Sequence, residues 1–376
     1  MIKSRKQEIN NLFEIDGETL VEILDIFLPY TVTFGRIYEK YSDFINALSS
    51  NRICFLPDTN ILLRAKDMAS TNAVSRNEKE SKNYKIIAAM AILSKKYLTG
   101  NIFMPALLEF TDYEALKGEN PKDILELTYK KFFDARVIIE CMDFYSLIDY
   151  ITGKRNNLSL DPLITSNEEI TERLRNECYQ FSFDSFLSAH NILGDYIFHH
   201  DIAYCYLCKA WLINHDSKKT KEDKYEDFID WIVSGFLLDP ILFTFVVKYF
   251  ANLINFPPKK GRDILMRIEN QVKDILFIRN FYMSSVEHKN KDVIFVTLDK
   301  KLFKLACWCS GIYDEEKQKI KLNLADNIFD DCHLSNKFID KIYNKLSAKY
   351  KRTSPDNFRL EVVKKLVELQ KEIEKH

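Results

Sequence analysis

The sequence predicts an α/β fold in which helices cover both faces of a central parallel sheet, giving three layers. Short apolar stretches typical of strands alternate with longer stretches in which apolar residues recur every three or four positions, as in helices. This alternation favours parallel strands joined by helical crossovers. The helical pattern also extends well beyond the strands, so the sheet is expected to carry large helical additions.

Composition places the chain among ordinary globular proteins. It has 376 residues, of which 46% are hydrophobic and 29% charged. With 54 basic and 55 acidic side chains, the net charge is −1, so any surface for phosphates must be local. Its eight cysteines are scattered, mostly within apolar runs, and no signal peptide opens the sequence. We expect a reduced, cytoplasmic protein that does not associate with membranes.

Five strand-like stretches follow a helical N-terminal region, residues 1–50. In each of them, apolar or β-branched residues run together over a length typical of a buried strand. The last of the five has the weakest pattern. They are RICFLP (52–57), NIFMP (101–105), ARVIIEC (135–141), DVIFVTLD (292–299) and KIKLNL (319–324).

The order of these stretches predicts a discontinuous α/β domain made of residues 51–150 and 262–325. Residues 151–261 are nearly all helical in pattern and interrupt the alternation, so we interpret them as a large helical insertion. Residues 326–376 are predicted to form a helical C-terminal tail rich in lysine. The fold class is therefore α/β with helical additions at both ends and within the domain.

Four acidic residues are candidates for a shared site. Asp58 and Asp299 come where two apolar strands end, and the carboxyl ends of parallel strands form the ligand crevice of such sheets. Glu109 follows the second strand, and Asp274 lies on the helix before the fourth. Clustered carboxylates repel one another, and a hard divalent cation with oxygen ligands, Mg²⁺ or Mn²⁺, relieves the repulsion.

Each acid also has a purely structural interpretation. Asp58 and Asp299 could each cap the helix that follows. Glu109 could be an acid in the first turn of a helix, favoured there by the helix dipole, and Asp274 could be a solvent-exposed helix residue. The hypothesis of a joint site depends on all four falling at one edge of the predicted sheet.

Several stretches resemble the PIN domain, a family of metal-dependent nucleases related in fold to flap endonucleases. They are FLPDTNILLR, IFMPALLEF, ARVIIECMDFYSLI, KDILFIRNFYM and VIFVTLDKKL. The resemblance implies a three-layer PIN-like domain. It also implies that four acids are catalytic and bind Mg²⁺ or Mn²⁺, with Asn60 and Thr297 as supporting residues. In this chain those acids are Asp58, Glu109, Asp274 and Asp299.

The sequence departs from the family pattern in two places. Leu298 stands where the family usually has Asn, which removes a polar neighbour but no ligand. Glu109 and Asp274 are 165 residues apart (274 − 109), far more than the family's usual helical hairpin. The third acid therefore stays open between Asp274 and Asp239, which also begins an apolar helix.

The resemblance implies phosphodiester hydrolysis, and we expect an endoribonuclease with a toxin-like, antiviral or RNA-processing role. RNA is favoured over DNA because most PIN nucleases cut RNA, and because strand ends and loops expose bases and phosphates. Further partners would be a second copy of the chain or an inhibitory protein. The alternatives are a structure-specific DNA nuclease and a catalytically silent scaffold that binds a partner protein.

Basic residues near the predicted site and in the tail are candidates for substrate binding. The tail lysines recur every four residues and so line one face of a helix, but that helix could instead pack on the core through its apolar positions. For Arg267, the alternative is an ion pair on the protein surface. The candidates are Arg267, Lys300, Lys337, Lys341 and Lys345.

Overall fold

The chain is mostly helical and carries a small, mixed sheet of four strands. The structure is a computed structural model. It describes residues 13–33, 38, 40–70, 77–101, 117, 122–129, 142–156, 158, 192–254, 264–287, 291–309, 328–349 and 355–375.

The helices and strands follow one another as two groups. The first group is α1 Gly17–Phe27, β1 Thr31–Thr33, α2 Tyr41–Ser49, β2 Ile53–Pro57, α3 Thr59–Ser70, α4 Glu78–Tyr97, β3 Gly100–Asn101 and α5 Phe144–Ile151. The second group is α6 Ile192–His215, α7 Lys221–Val233, α8 Pro240–Phe250, α9 Ile264–Glu287, β4 Asp292–Val296, α10 Lys300–Cys309, α11 Asn336–Lys349 and α12 Pro355–Glu374.

The chain divides into two compact units. The first contains Met1–Asn191 and Phe281–Phe303, and therefore all four strands. The second contains Ile192–Asn280 and Lys304–His376 and is helical throughout its described part. The domain boundaries predicted from the sequence stay predictions.

The centre of the sheet is the pair of strands β2 and β4, within a strand order of β1-β4-β2-β3. These two strands run parallel, with Ile53 opposite Asp292 and Pro57 opposite Val296. Both are almost wholly buried, as continuous apolar runs predict for strands covered on both faces. The expectation that the RICFLP and DVIFVTLD stretches are neighbouring parallel strands is confirmed.

Two expectations from the sequence are wrong because of strand β1. The sheet is mixed rather than purely parallel, and residues 1–50 are not all helical. β1 pairs antiparallel with β4, so that Val32 lies opposite Phe295. Pro29, in a short 3-10 turn at Leu28–Tyr30, cannot donate a backbone hydrogen bond and does not continue helix α1. The next three residues, Thr-Val-Thr, are β-branched and favour an extended chain.

Helices contact both faces of the β2–β4 pair. On β2, the ring of Phe55 meets Phe27 of α1 with centroids 5.1 Å apart. On β4, the ring of Phe295 meets Phe281 of α9 at 5.2 Å. The register pairs Phe55 with Ile294, and neighbouring residues along a strand point to opposite faces, so Phe55 and Phe295 lie on opposite sides of the sheet.

The other predicted strands lie largely outside the described residues. Of the NIFMP stretch only Asn101 is described, and it belongs to β3, which runs parallel to β2. The ARVIIEC and KIKLNL stretches lie outside the described residues. Their place in the sheet stays a prediction.

The second unit has an aromatic core between helices. α6 packs against α7, α8 and α12, and α7 packs against α11. The apolar run at 231–254 does not form one continuous helix, because α7 ends at Val233 and the almost wholly buried α8 begins at Pro240. Within α8 even Lys248 is buried, and its ammonium donates to the Asp330 carbonyl at 2.6 Å.

Among the described residues, no helix combines the length and apolarity that crossing a membrane requires.

We predict that Phe55→Ala lowers the free energy of unfolding of the first unit by about 3–5 kcal/mol. Phe55 is fully buried and contacts Phe27, so truncation leaves a cavity at the centre of the sheet. Leu63→Ala is the control, since that side chain is 42% exposed and its loss should change stability by less than about 0.5 kcal/mol. Urea unfolding followed by circular dichroism measures both, and equal effects would contradict the packing described for β2.

Candidate functional site

Two of the predicted acids meet at the edge of the sheet where β2 and β4 end. Asp58 directly follows β2, and its backbone N–H donates to the Val296 carbonyl at 2.9 Å. Asp299 comes three residues after the end of β4. Because β2 and β4 are parallel neighbours, their carboxyl ends lie side by side, as the sequence predicted for these two residues.

The carboxylate of Asp58 is enclosed by the protein, with no exposed surface. One oxygen, Oδ1, accepts a hydrogen bond from the Ile61 backbone N–H at 2.8 Å, which caps the N-terminus of α3. The other, Oδ2, accepts from the Thr297 hydroxyl at 2.5 Å. The Leu298 backbone N–H is a further, weaker donor to this carboxylate, so these contacts leave about one of its four acceptor positions for a cation.

Thr297 connects the two acids. Its side chain is buried, and its hydroxyl donates to Asp58 while accepting from the backbone N–H of Asp299 at 2.9 Å. One hydroxyl therefore links the residue that ends β2 to the segment that follows β4. The supporting role that the resemblance implies for Thr297 stays a prediction.

Asp299 caps the helix after β4. Its Oδ1 accepts from the backbone N–H groups of Lys301 at 2.7 Å and Leu302 at 3.2 Å, at the N-terminus of α10. The side chain is half-buried rather than enclosed. Both Asp58 and Asp299 therefore cap helices, as the structural interpretation proposed. For Asp299 this role is compatible with a further one, because its Oδ2 takes no part in the capping hydrogen bonds.

The environment of Asp58 opposes its negative charge. Burial is the main cause that raises the pKa of its carboxyl, the negative charge of Asp299 adds a smaller upward shift, and the resulting pKa is about 6. The hydrogen bonds from Thr297 and from the backbone of Ile61 act in the opposite direction. In the described part of the chain, no Lys, Arg or His forms an ion pair with Asp58. At neutral pH the protein therefore holds a buried carboxylate beside a second acid.

The groups at this edge suit a hard divalent cation. Carboxylate and hydroxyl oxygens are the ligands that Mg²⁺ and Mn²⁺ prefer, and a cation would offset the charge of Asp58 and Asp299. Among the described residues, no three His, Cys, Asp or Glu side chains group together as metal ligands. Glu109, the predicted ligand after the second strand, lies outside the described residues.

The predicted third acid, Asp274, belongs to the second unit. It lies on α9, is half-buried, and accepts a hydrogen bond from the Gln271 side-chain amide at 3.0 Å. Its role as a ligand stays a prediction from the sequence.

Asp239, the alternative third acid, has two structural roles in the second unit. Its Oδ1 caps α8 by accepting from the backbone N–H groups of Ile241 and Leu242, at 2.9 and 3.0 Å. Its Oδ2 lies 3.7 Å from Nε of Arg279, and the same guanidinium donates to Nε2 of His199 at 2.8 Å. A carboxylate that forms an ion pair with arginine and caps a helix is already well satisfied.

Arg279 is a polar residue whose importance the sequence interpretation missed. It joins Asp239 and His199, which lie on two different helical segments. A signal was present, because Arg279 is a charged residue inside the otherwise apolar LFIRNF stretch of α9, where neighbouring side chains are buried. A charge at such a position requires a partner, although the sequence does not identify the partner.

Three of the proposed supporting and substrate-binding residues are exposed on helices. Asn60 is in the first turn of α3, two residues after Asp58, and is exposed to solvent. Lys300 begins α10, next to Asp299, and is also exposed. Arg267 is exposed on the N-terminal part of α9, in the second unit. Their proposed roles stay predictions.

The lysine stripe of the tail lies on α11, and two of its three members form ion pairs. Lys341 contacts Glu226 at 2.5 Å and Lys345 contacts Asp230 at 2.6 Å, both on α7. Lys337 is exposed. The apolar face of α11 is buried, as the structural interpretation predicts, through Phe338, Ile342 and Leu346. These contacts favour helix packing as the main role of the stripe.

We predict that Asp58→Asn stabilises the fold at neutral pH. A carboxyl whose pKa is raised by folding from 3.8 to about 6 weakens the folded state by about 3 kcal/mol above that range. This loss develops as the pH rises from about 4 to about 6, and it is absent below the unfolded-state pKa. The variant should therefore gain stability near pH 7 but not near pH 4, as measured by urea unfolding.

Asp16→Asn is a matched control with the opposite sign. Asp16 caps α1, but it is exposed, and hydrogen bonds from Thr19 lower the pKa of its carboxyl. Its contribution to stability is present at neutral pH and is lost as the pH falls through its folded-state pKa. If both variants shifted stability in the same direction at neutral pH, the burial of the Asp58 charge would not be the cause.

No family model, curated protein or solved structure gives a match to this chain. What the site can do is therefore inferred from its own residues.

Proposed function

We propose that this chain is a metal-dependent nuclease, specifically an endoribonuclease whose first unit is a three-layer PIN-like α/β/α domain. One observation supports this proposal above the others. Asp58 and Asp299 come together where two parallel strands end, Thr297 links them, and the enclosed carboxylate of Asp58 has no ion-pair partner among the described residues. The order of these residues is that of the PIN motifs.

In this proposal Asp58 and Asp299 hold Mg²⁺ or Mn²⁺, and Glu109, which the resemblance adds to them, is a further acid of the site. When bound, the cation would polarise a phosphate oxygen and lower the pKa of a water molecule. Thr297 fixes the orientation of the Asp58 carboxylate, since its hydroxyl is held at both ends. The backbone N–H groups that cap α3 and α10 hold both acids in place without further side chains.

RNA is the proposed substrate because the resemblance is to a family that mostly cuts RNA. Lys300 supports a phosphate-binding role, since it is exposed directly beside Asp299. The near-zero net charge of the chain means that contacts of this kind would have to be local. Cleavage of structured DNA is the alternative that uses the same chemistry.

A silent scaffold is the alternative that one structural observation favours. Both Asp58 and Asp299 act as helix caps, a role that requires no cation. Burial speaks against that role alone, because an Asn or Ser at position 58 could cap α3 without burying a charge. Measurements of nuclease activity and of metal binding distinguish the nuclease from the silent scaffold.

We predict that Asp58→Asn abolishes cleavage of total RNA in the presence of Mn²⁺, with a loss of at least about a hundredfold. The substitution preserves the shape and a capping oxygen while removing the charge that would bind the cation. Incubation with RNA and with single-stranded DNA, with Mn²⁺ or with EDTA, followed by mapping of the product ends, measures the activity and its substrate. Asp16→Asn should cut as fast as the parent.

Two results would refute this assignment of the site. If Asp58→Asn retained the parent rate, another part of the chain would carry the activity. If the parent cut neither RNA nor DNA with any divalent cation, the scaffold alternative would replace the nuclease proposal.

We predict that Mn²⁺ raises the melting temperature of the parent protein more than that of Asp58→Asn. A ligand that binds only the folded state stabilises it by about 2.7 kcal/mol at a hundred times its dissociation constant. The variant lacks the enclosed charge and should show at most a small shift. Differential scanning fluorimetry at several Mn²⁺ concentrations measures the effect, with Ca²⁺ and EDTA as controls, and equal shifts in both proteins would place the bound metal elsewhere.

A further inference from the structure

The second unit contains a cavity of about 290 Å³ between the end of α7 and one face of α12. Its volume is at the lower end of the range typical of ligand pockets. Its lining combines aromatic, small and charged side chains of both signs. The lining residues are Trp231, Ser234, Gly235, Phe236, Phe358, Glu361, Lys364, Lys365 and Glu368.

One wall of the cavity is aromatic. The rings of Trp231 and Phe236 are stacked, with centroids 4.2 Å apart and planes 25° from parallel. Phe358 of α12 meets Phe236 edge-on at 5.4 Å. Between Trp231 and Phe236 the chain turns at Gly235 with a φ of 130°, a conformation that side chains rarely adopt. The aromatic wall is therefore held in place by ring packing and by a turn that favours glycine.

The opposite wall is charged and comes from a single helix. Glu361, Lys364, Lys365 and Glu368 lie at helical positions i, i+3, i+4 and i+7, which places them on one face of α12. Lys365 pairs with Glu368 at 3.2 Å. Glu361 and Lys364 are both exposed. The wall thus offers both hydrogen-bond acceptors and cationic donors.

We propose that this cavity binds a ribonucleotide. Phe236 and Phe358 are buried, so Trp231, which is half-buried, is the ring of this wall that a base would contact. Carboxylates accept hydrogen bonds from ribose hydroxyls, and a lysine contacts a phosphate. An acidic peptide would meet the two glutamates, and a basic peptide would meet the two lysines. A ribonucleotide carries both hydroxyl donors and an anionic phosphate, so it complements both kinds of charge.

This inference is independent of the nuclease proposal, because the cavity shares no residue with the edge that holds Asp58. The nucleotide could be free in solution or part of an RNA strand, and the chemistry of recognition is the same for both. Binding measured in EDTA, without cleavage, separates recognition at the cavity from the chemistry at the sheet edge.

The experiment is isothermal titration calorimetry of the full chain in EDTA. The probes are adenosine monophosphate, its 2′-deoxy counterpart and a short single-stranded oligoribonucleotide. Lys364→Gln should weaken binding of the ribonucleotide about tenfold, through loss of one charge-assisted contact. Glu361→Gln should reduce the preference for ribose over deoxyribose. The control is Lys371→Gln, on the same helix but outside the cavity lining, which should bind like the parent.

The outcomes separate the two sources of the nucleotide. Binding of adenosine monophosphate that Lys364→Gln weakens supports a site for free nucleotide. Binding of the oligoribonucleotide alone, weakened by the same variant, supports a site for a strand. The proposal is overturned if neither probe binds, if the deoxynucleotide binds as tightly as the ribonucleotide, or if Lys364→Gln and Lys371→Gln behave alike.

Discussion

The enclosure of the Asp58 carboxylate is the constraint around which the centre of the first unit is arranged. Its backbone is held to Val296 of the neighbouring strand, one side-chain oxygen starts a helix, and the other holds the hydroxyl of Thr297. Burial makes the ionised state unfavourable by an amount that is large beside the net stability of a domain. A position that serves only as a helix cap has no reason to bear this penalty.

Several other helix caps in the chain are exposed, unlike Asp58. Asp16, Asn77 and Thr220 cap helices with the same type of hydrogen bond, and all three are exposed to solvent. Their polar groups keep contact with water and lose little on folding. Asp58 differs because its cap lies inside the protein, at the end of a buried strand. Capping explains the geometry of Asp58, but it does not explain why a charged carboxylate is buried at this position.

The sequence predicted the central strand pair well because buried strands have a simple signal. RICFLP and DVIFVT are continuous apolar runs that end at polar residues, so both the strands and the edge that carries Asp58 and Asp299 could be predicted. Strand β1 could not, because three residues give no periodicity of their own and its pairing depends on β4 being present. Local pattern also does not indicate the antiparallel direction of that pairing.

The sequence predicted on which helix face charged residues lie, but it did not predict the residues with which they form ion pairs. The four-residue spacing of Lys341 and Lys345 placed them on one helix face, yet Glu226 and Asp230, which bind them, are more than a hundred residues away in the chain. Arg279 likewise has partners distant in the chain, Asp239 and His199, that its own sequence neighbourhood does not identify. Helical periodicity is set by near neighbours, whereas ion pairs between helices are set by packing, which no local pattern encodes.

The distance along the chain between the two central strands has a consequence for how the protein is made. Thr297 and Asp58 are hydrogen-bonded although 239 residues separate them. Synthesis proceeds from the N-terminus, so β2 and Asp58 leave the ribosome long before β4 exists. Throughout that interval the growing chain carries one acid of the pair without the strand that encloses it. The sheet edge can be assembled only after β4 has been synthesised, which delays any activity of that edge until then.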